Sequence, residues 1–165
     1  MGAMPPRPEE GADEPMIEKM KALVRERKTC VLATVGDGGP HCSLMSYAAA
    51  PDGAEIFMVT HRQTKKYRNL MKNPAVSLLI DTREGGSSSE PIRALTVSGI
   101  LRKIGDEGER LAVRGKLLGN HPLLGEFLDD ADAEIFAIRI VSLQLIEGIR
   151  DSASITLDEK PRRTP

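Results

Sequence analysis

The order of apolar runs in this sequence predicts a mainly β fold: an antiparallel, six-stranded β-barrel with peripheral helices. Three observations carry that reading. The stretch from Thr29 to Asp81 alternates β-branched and apolar runs with Gly- and Pro-rich turns, the pattern of a meander. The run Ile92 to Ile104 is long for a strand and holds Gly99 in its interior, the mark of a bulge or sharp bend. The run Glu134 to Gly148 changes phase, with Phe136, Ile138 and Ile140 at even positions but Val141, Leu143 and Leu145 at odd ones. A register switch within a strand is what a bulge at a barrel corner produces, so two bent long strands beside a meander indicate a closed or split barrel, not a flat sheet.

At 165 residues the chain is one domain's worth, long enough for a single sizeable core. Residues 1–13, rich in Pro, Gly and acid, read as a disordered tail; 14–150 form the domain; 151–165, where the pattern is lost, read as a C-terminal tail. Met16, Ile17, Met20, Leu23 and Val24 recur at helical spacing and predict an amphipathic helix from Glu14 to Arg27. Thr29 to Val35 is the first strand, and His41 to Ala49 returns as its partner after the turn Gly36 to Pro40. With that turn centred near Gly38, Cys30 faces about Ser46 and Cys42 about Thr34, on the order of 13 Å apart along the ladder. That separation is too great for a bridge, so free, buried thiols are expected.

Pro51-Asp52-Gly53 turns the chain into a third strand, Glu55 to Thr60, and a short helix follows from Thr64 to a stop at Asn73-Pro74. Ala75 to Asp81 is a fourth strand, apolar enough to be covered on both faces. After a flexible loop, Arg83 to Pro91, comes the first long strand. Asp106 with Glu109 caps a helix that runs to about Leu118 before Gly119-Asn120, and His121-Pro122 opens a second short helix through Leu128. The second long strand closes the domain.

The chemistry concentrates around the short helix. Arg62, Lys65, Lys66, Arg68 and Lys72 lie in a stretch that has no carboxylate between Glu55 and Asp81, although the whole chain has a net charge of −1. Tyr67, Leu70 and Met71 form one buried face, which leaves Thr64 as N-cap and puts Lys65 and Lys66 in the first turn. Positive side chains there oppose the helix dipole unless an anion is bound. Free N–H groups at a helix start, with cations and a hydroxyl beside them, suit a phosphate. A solvated basic face is the alternative, since exposed lysines at a helix start cost only about 0.3–1 kcal/mol.

Other classes find little support. Near-zero net charge and scarce aromatics, with no Trp, two Tyr and three Phe, weigh against a nucleic-acid platform. No apolar run matches a membrane span and no secretory signal stands at the N-terminus, so a cytoplasmic protein that does not engage membranes is expected. The cysteines lack metal spacing, which disfavours zinc. Ser43, Ser46 and His41 read as alternating strand residues, not as a catalytic triad.

The order of elements, with the run from Ile56 through Thr60, Thr64-Lys65-Lys66 and Asn69-Leu70 to Asn73-Pro74-Ala75-Val76-Ser77, resembles the pyridoxamine 5'-phosphate oxidase-like, FMN-binding split β-barrel superfamily. The resemblance spans roughly Glu14 to Gly148. It implies FMN as cofactor, with the phosphate held by Thr60, Thr64, Lys65 and Lys66 and with Arg62 as a further candidate. It also implies that the flavin ring lies against Ser43, Leu44, Met45 and Ser46, in the cleft of a homodimer whose second protomer completes each site. A small-molecule substrate and flavin-borne oxidoreductase chemistry would follow. The chain lacks the tryptophan-bearing motif and the C-terminal Arg-Leu segment of true pyridoxamine phosphate oxidases, so the resemblance leaves the substrate unassigned. The same superfamily includes deazaflavin-dependent reductases and haem-binding or haem-degrading proteins. His121 is the candidate axial ligand for the haem reading, and His61 a candidate phosphate partner for the flavin reading. A non-catalytic module that binds a phosphorylated ligand or nucleic acid is the remaining alternative.

Overall fold

The computed structural model describes residues 13–149 and 151–157. Helix α1 (Asp13–Glu26) leads into β1 (Thr29–Gly36), β2 (Gly39–Ser46), β3 (Ala48–Ala49) and β4 (Glu55–His61). Helix α2 (Lys65–Lys72) is followed by β5 (Ala75–Asp81), β6 (Arg93–Lys103) and α3 (Glu107–Asn120). A 3-10 turn, Pro122–Leu124, joins α4 (Gly125–Asp129), after which come β7 (Ala133–Glu147) and β8 (Asp151–Thr156).

The strands form one antiparallel sheet in the order β2-β1-β5-β6-β7-β4-β3, with β8 paired to β7. β2 and β3 lie at opposite ends of that order, yet only Tyr47 separates them in the chain. A flat sheet would hold its two edges many strand widths apart, so a one-residue link requires the sheet to curl into a split barrel. Tyr47 is buried at that corner and donates its hydroxyl to the Val24 carbonyl oxygen at 2.8 Å. The bulge expected from the sequence falls where the phase changes: Ser98 pairs with Ser142 but Gly99 with Ile140, which leaves Val141 extra. A Cβ at Gly99 would stand 2.4 Å from Ile138 Cγ2, so glycine is what lets β6 and β7 approach there.

Two apolar clusters flank β4 and β7. Met20, Leu23, Leu32, Ile56, Met58, Leu78, Leu95 and Ile138 fill the barrel beneath α1. Phe57, Val59, Val113, Leu117, Ile135 and Ala137 form a second core under α3. Burial on both sides explains why β4 reads as an unbroken apolar run.

Several expectations are corrected. β5 is covered on one face only, with Ala75 and Leu79 exposed; β4 and the first half of β7 are covered on both faces. The sheet has eight strands, not six, because the run expected as one strand from His41 to Ala49 is split at Tyr47, and because 151–156 is a strand and not a tail. Gly148, at φ +64°, turns the chain back, and Ala153, Ile155 and Leu157 pack on the core. Their period-2 pattern is diluted by Ser and Thr, which hid it in the sequence. Residue 13 opens α1 and is not part of a tail; the rest of that expected tail, 1–12, and residues 158–165 lie outside the described residues.

The β1–β2 turn is one residue tighter than expected, so Cys30 pairs with Met45 and Cys42 with Ala33. A one-residue register shift moves a side chain to the opposite face. Cys42 is therefore exposed while Cys30 is buried, and both are free thiols.

Candidate functional site

The end of β4 and the start of α2 form a tight, internally bonded turn. Thr64 is the N-cap, as its sequence position indicated: its hydroxyl oxygen accepts from the Tyr67 N–H at 3.3 Å. The same hydroxyl donates to the His61 carbonyl oxygen at 2.9 Å, so the 3.1 Å contact between Thr60 Oγ1 and Thr64 Oγ1 takes its proton from Thr60. Both hydroxyl protons are thus consumed within the turn. The backbone N–H groups of Lys65 and Lys66 make no hydrogen bond to any described residue, as the first positions of a helix leave them.

Thr60, Thr64 and Lys66 border a cavity of about 210 Å³. Thr60, His61, Thr64 and Lys66 form its polar end, and Leu44, Met45 and Ser46 of β2 one side. Val59, Leu124 and Phe127 close it from the second core. The structure thus gathers seven of the residues that the sequence singled out: Leu44, Met45, Ser46, Thr60, His61, Thr64 and Lys66.

Three others lie off the cavity lining. Ser43 is half-buried on β2, its side chain on the opposite face from Leu44. Lys65 is exposed and reaches toward the β1–β2 turn, with Nζ 3.8 Å from where a Cβ on Gly38 would be. Arg62 is committed elsewhere: Nε and Nη2 donate to Glu134 Oε2 at 3.1 and 2.6 Å, and Nη1 donates to the Ala131 carbonyl oxygen at 3.0 Å. The hydrogen bonds it donates to Glu134, reinforced by the carboxylate's charge, raise the guanidinium's proton affinity.

His61 stacks on Phe127, ring centroids 4.2 Å apart and planes within 4°. Its Nε2 is buried and makes no hydrogen bond, although Asp130 Oδ2 lies 3.5 Å away. His121 faces a backbone carbonyl: Nε2 is 2.9 Å from the Tyr47 oxygen, to which it donates. Leu124 and Phe127 were not foreseen as site residues. Their segment was legible as a short helix, but nothing local states that it packs against β4.

A broader hollow of about 770 Å³ adjoins the site at Leu44, floored by Val31, Leu44 and Leu79 and rimmed by Arg27, Asp81 and Arg83. Val31 pairs with both Leu44 and Leu79, so the three form one apolar row across the outer face of the sheet. Leu44 is 79 % exposed. Among the described residues no helix is long and apolar enough to cross a membrane.

The family model described as Pyridoxamine 5'-phosphate oxidase matches residues 16–146. No curated protein sequence matches the chain. Among solved structures, the fold is similar to a haem-binding protein from Mycobacterium smegmatis, with 19% identity, a TM-score of 0.76, and coverage of 92% of this chain but 60% of that one. It is similar to a FAD-binding protein from Mesorhizobium loti, with 20% identity, a TM-score of 0.63, and coverage of 83% and 93%. A putative pyridoxamine 5'-phosphate oxidase from Listeria innocua matches with 20% identity, a TM-score of 0.61, and coverage of 80% and 97%. Likeness at such identities establishes the fold.

Proposed function

This chain belongs to the pyridoxamine 5'-phosphate oxidase family, and from that membership we propose that it is a flavoprotein oxidoreductase that holds FMN by its phosphate at the β4–α2 turn of a homodimer. The observation that carries the reading is the meeting of Lys66, in the first turn of α2 where the backbone N–H is unbonded, with Thr60, Thr64 and Leu44 to Ser46 of β2 in one cavity. Amides at a helix start and a neighbouring ammonium supply the donors that a phosphate dianion needs. Thr60 and Thr64, whose protons are used internally, set the shape of the turn. Because Lys65 lies off the cavity lining, its part is a longer-range charge.

The cavity's 210 Å³ is less than the roughly 300–1,000 Å³ over which pockets enclose molecules of this size. It suits the phosphate and part of the chain attached to it. The ring then lies over β2 beside the exposed Leu44, and a second protomer seated on the Leu44–Val31–Leu79 row would enclose it. Bound there, FMN would supply one- or two-electron transfer to a small-molecule substrate. The chain's own residues anchor the phosphate, orient the ring against β2 and exclude water through Val59, Leu124 and Phe127.

A tetrapyrrole on the same barrel has less support, since His121, the candidate axial ligand, spends Nε2 on the Tyr47 carbonyl. The two cofactors separate on one visible spectrum of the purified protein: flavin bands against a Soret band. Lys65→Glu with Lys66→Glu is expected to abolish FMN retention at unchanged thermal stability, and Lys66→Glu alone to account for most of the loss. Unchanged flavin affinity in the double variant would refute the site.

A further inference from the structure

Glu134 lies directly opposite Thr60 in the β4–β7 ladder, so a carboxylate stands one strand away from the anion cavity. Arg62 binds it through two nitrogens, while Arg110 is 3.9 Å from its other oxygen, beyond hydrogen-bond reach. Around this pair, the end of β4 is clasped to the chain entering β7. The Arg62 N–H donates to the Asp132 carbonyl oxygen at 3.0 Å, and Gln63 Nε2 to Asp132 Oδ2 at 2.9 Å. Arg62 therefore sits between cavity residues His61 and Thr64 in the chain, yet it is not part of the cavity lining, its charge is paired with Glu134 and its planar fork is spent on Glu134 and the Ala131 carbonyl oxygen.

We propose that Glu134 is a specificity-determining residue of this site: by neutralising and holding Arg62, it limits the cavity to a single phosphate monoester and disfavours a diphosphate. The inference rests on the phosphate reading above. A lone terminal phosphate is matched by Lys66 and the first amides of α2. A dinucleotide brings a second anionic phosphate, for which a guanidinium fork is the fitting partner. Arg62 is the adjacent candidate, and Glu134 already occupies it.

The test is a double-mutant cycle of Glu134→Gln and Arg62→Gln, read as Kd for inorganic phosphate, FMN and FAD, with phosphate followed through the backbone amide shifts of Lys65 and Lys66. Glu134→Gln is expected to tighten phosphate binding about 3- to 10-fold and to move the FAD/FMN preference toward FAD. Arg62→Gln is expected to weaken every anion by a similar factor, because the carboxylate is then uncompensated. The double variant should return to within about twofold of the parent. Weakening by both single changes would mean that the pair only shapes the turn, and would overturn the proposal. So would a double variant as weak as Arg62→Gln alone, the sign of direct contact by Arg62. Arg62 is exposed, so its variant is a second test should Glu134→Gln fail to fold. Its deficit should vanish near about 0.5 M salt, and a deficit that persists there refutes a through-space role. A parent protein that shifts with phosphate but not with FMN removes the flavin assignment and leaves this inference standing; one that shifts with neither removes both.

Discussion

Asn69 lies across Gly36: a Cβ built at Gly36 would stand 2.0 Å from Asn69 Oδ1 and 2.7 Å from its Cγ. Asn69 is buried and donates through Nδ2 to Thr34 Oγ1 at 3.1 Å, so α2 is pinned to β1 by one polar contact with no room beneath it. The backbone of Gly36 is not in the left-handed region, which makes the demand for glycine purely steric.

Gly36→Ala is therefore expected to destabilise the fold by about 1–3 kcal/mol through overpacking. Asn69→Ala should cost a comparable amount by orphaning buried Thr34, and the two changes together should cost less than their sum, because the smaller residue vacates the clash. Urea unfolding of the three variants measures this. Strict additivity would mean that α2 shifts away and that the close contact is not what fixes it.

How much of this was legible beforehand follows from the range over which each feature is decided. The Thr64 cap, the Asp106 cap and the bulge around Gly99 are settled by residues within a few positions of one another, and all three stand as the sequence indicated. The face on which Cys42 lies depends on a single residue of turn length, to which composition is blind. Arg62 looked like a phosphate ligand because its partner, Glu134, is 72 positions away and becomes adjacent only when β4 pairs with β7. Phe127 and Leu124 escaped for the same reason. Local chemistry was readable; the partners supplied by strand order were not.

The two thiols should differ sharply in reactivity. Burial pushes Cys30 up to about 12, whereas Cys42 is exposed on the outer face of the sheet. At pH 8 one thiol per chain is expected to react rapidly with a small disulfide reagent, and the second only after denaturant is added. Loss of the fast phase in Cys42→Ser would confirm the assignment, while two fast thiols in the native protein would contradict the burial of Cys30.

The apolar row on the outer face should govern assembly. Leu44→Asp places a charge on a side chain that is already exposed in the protomer, so the fold should survive with a thermal midpoint close to that of the parent. Sedimentation should then show monomer where the parent sediments as a dimer. Flavin affinity should fall while phosphate still perturbs the Lys65 and Lys66 amides, since the polar end of the cavity belongs to one chain. A monomeric parent, or a dimer indifferent to Leu44→Asp, would remove this face from the interface.

Acid should weaken the fold through Arg102. Its Nε and Nη2 donate to Glu55 at 2.7 and 3.0 Å, and its Nη2 and Nη1 to Glu109 at 2.5 and 3.3 Å, which ties β4, β6 and α3 together. The hydrogen bond from Arg102 holds the Glu109 carboxyl below its ordinary value of 4.5. A carboxylate lowered in the folded state binds fewer protons there than in the unfolded chain, so its contribution is complete above the unfolded value and is lost as pH falls through the folded one. The midpoint of thermal unfolding should thus be level from neutrality down to about pH 5 and drop below it. Glu109→Gln should reduce that acid slope without abolishing it, because the Asp81 carboxyl, lowered chiefly by its hydrogen bond from Arg83, titrates in the same sense. At neutral pH the variant should differ little from the parent, as pairs this exposed contribute weakly. Superimposable acid slopes for the two proteins would show that Arg102 does not favour the ionised form of Glu109.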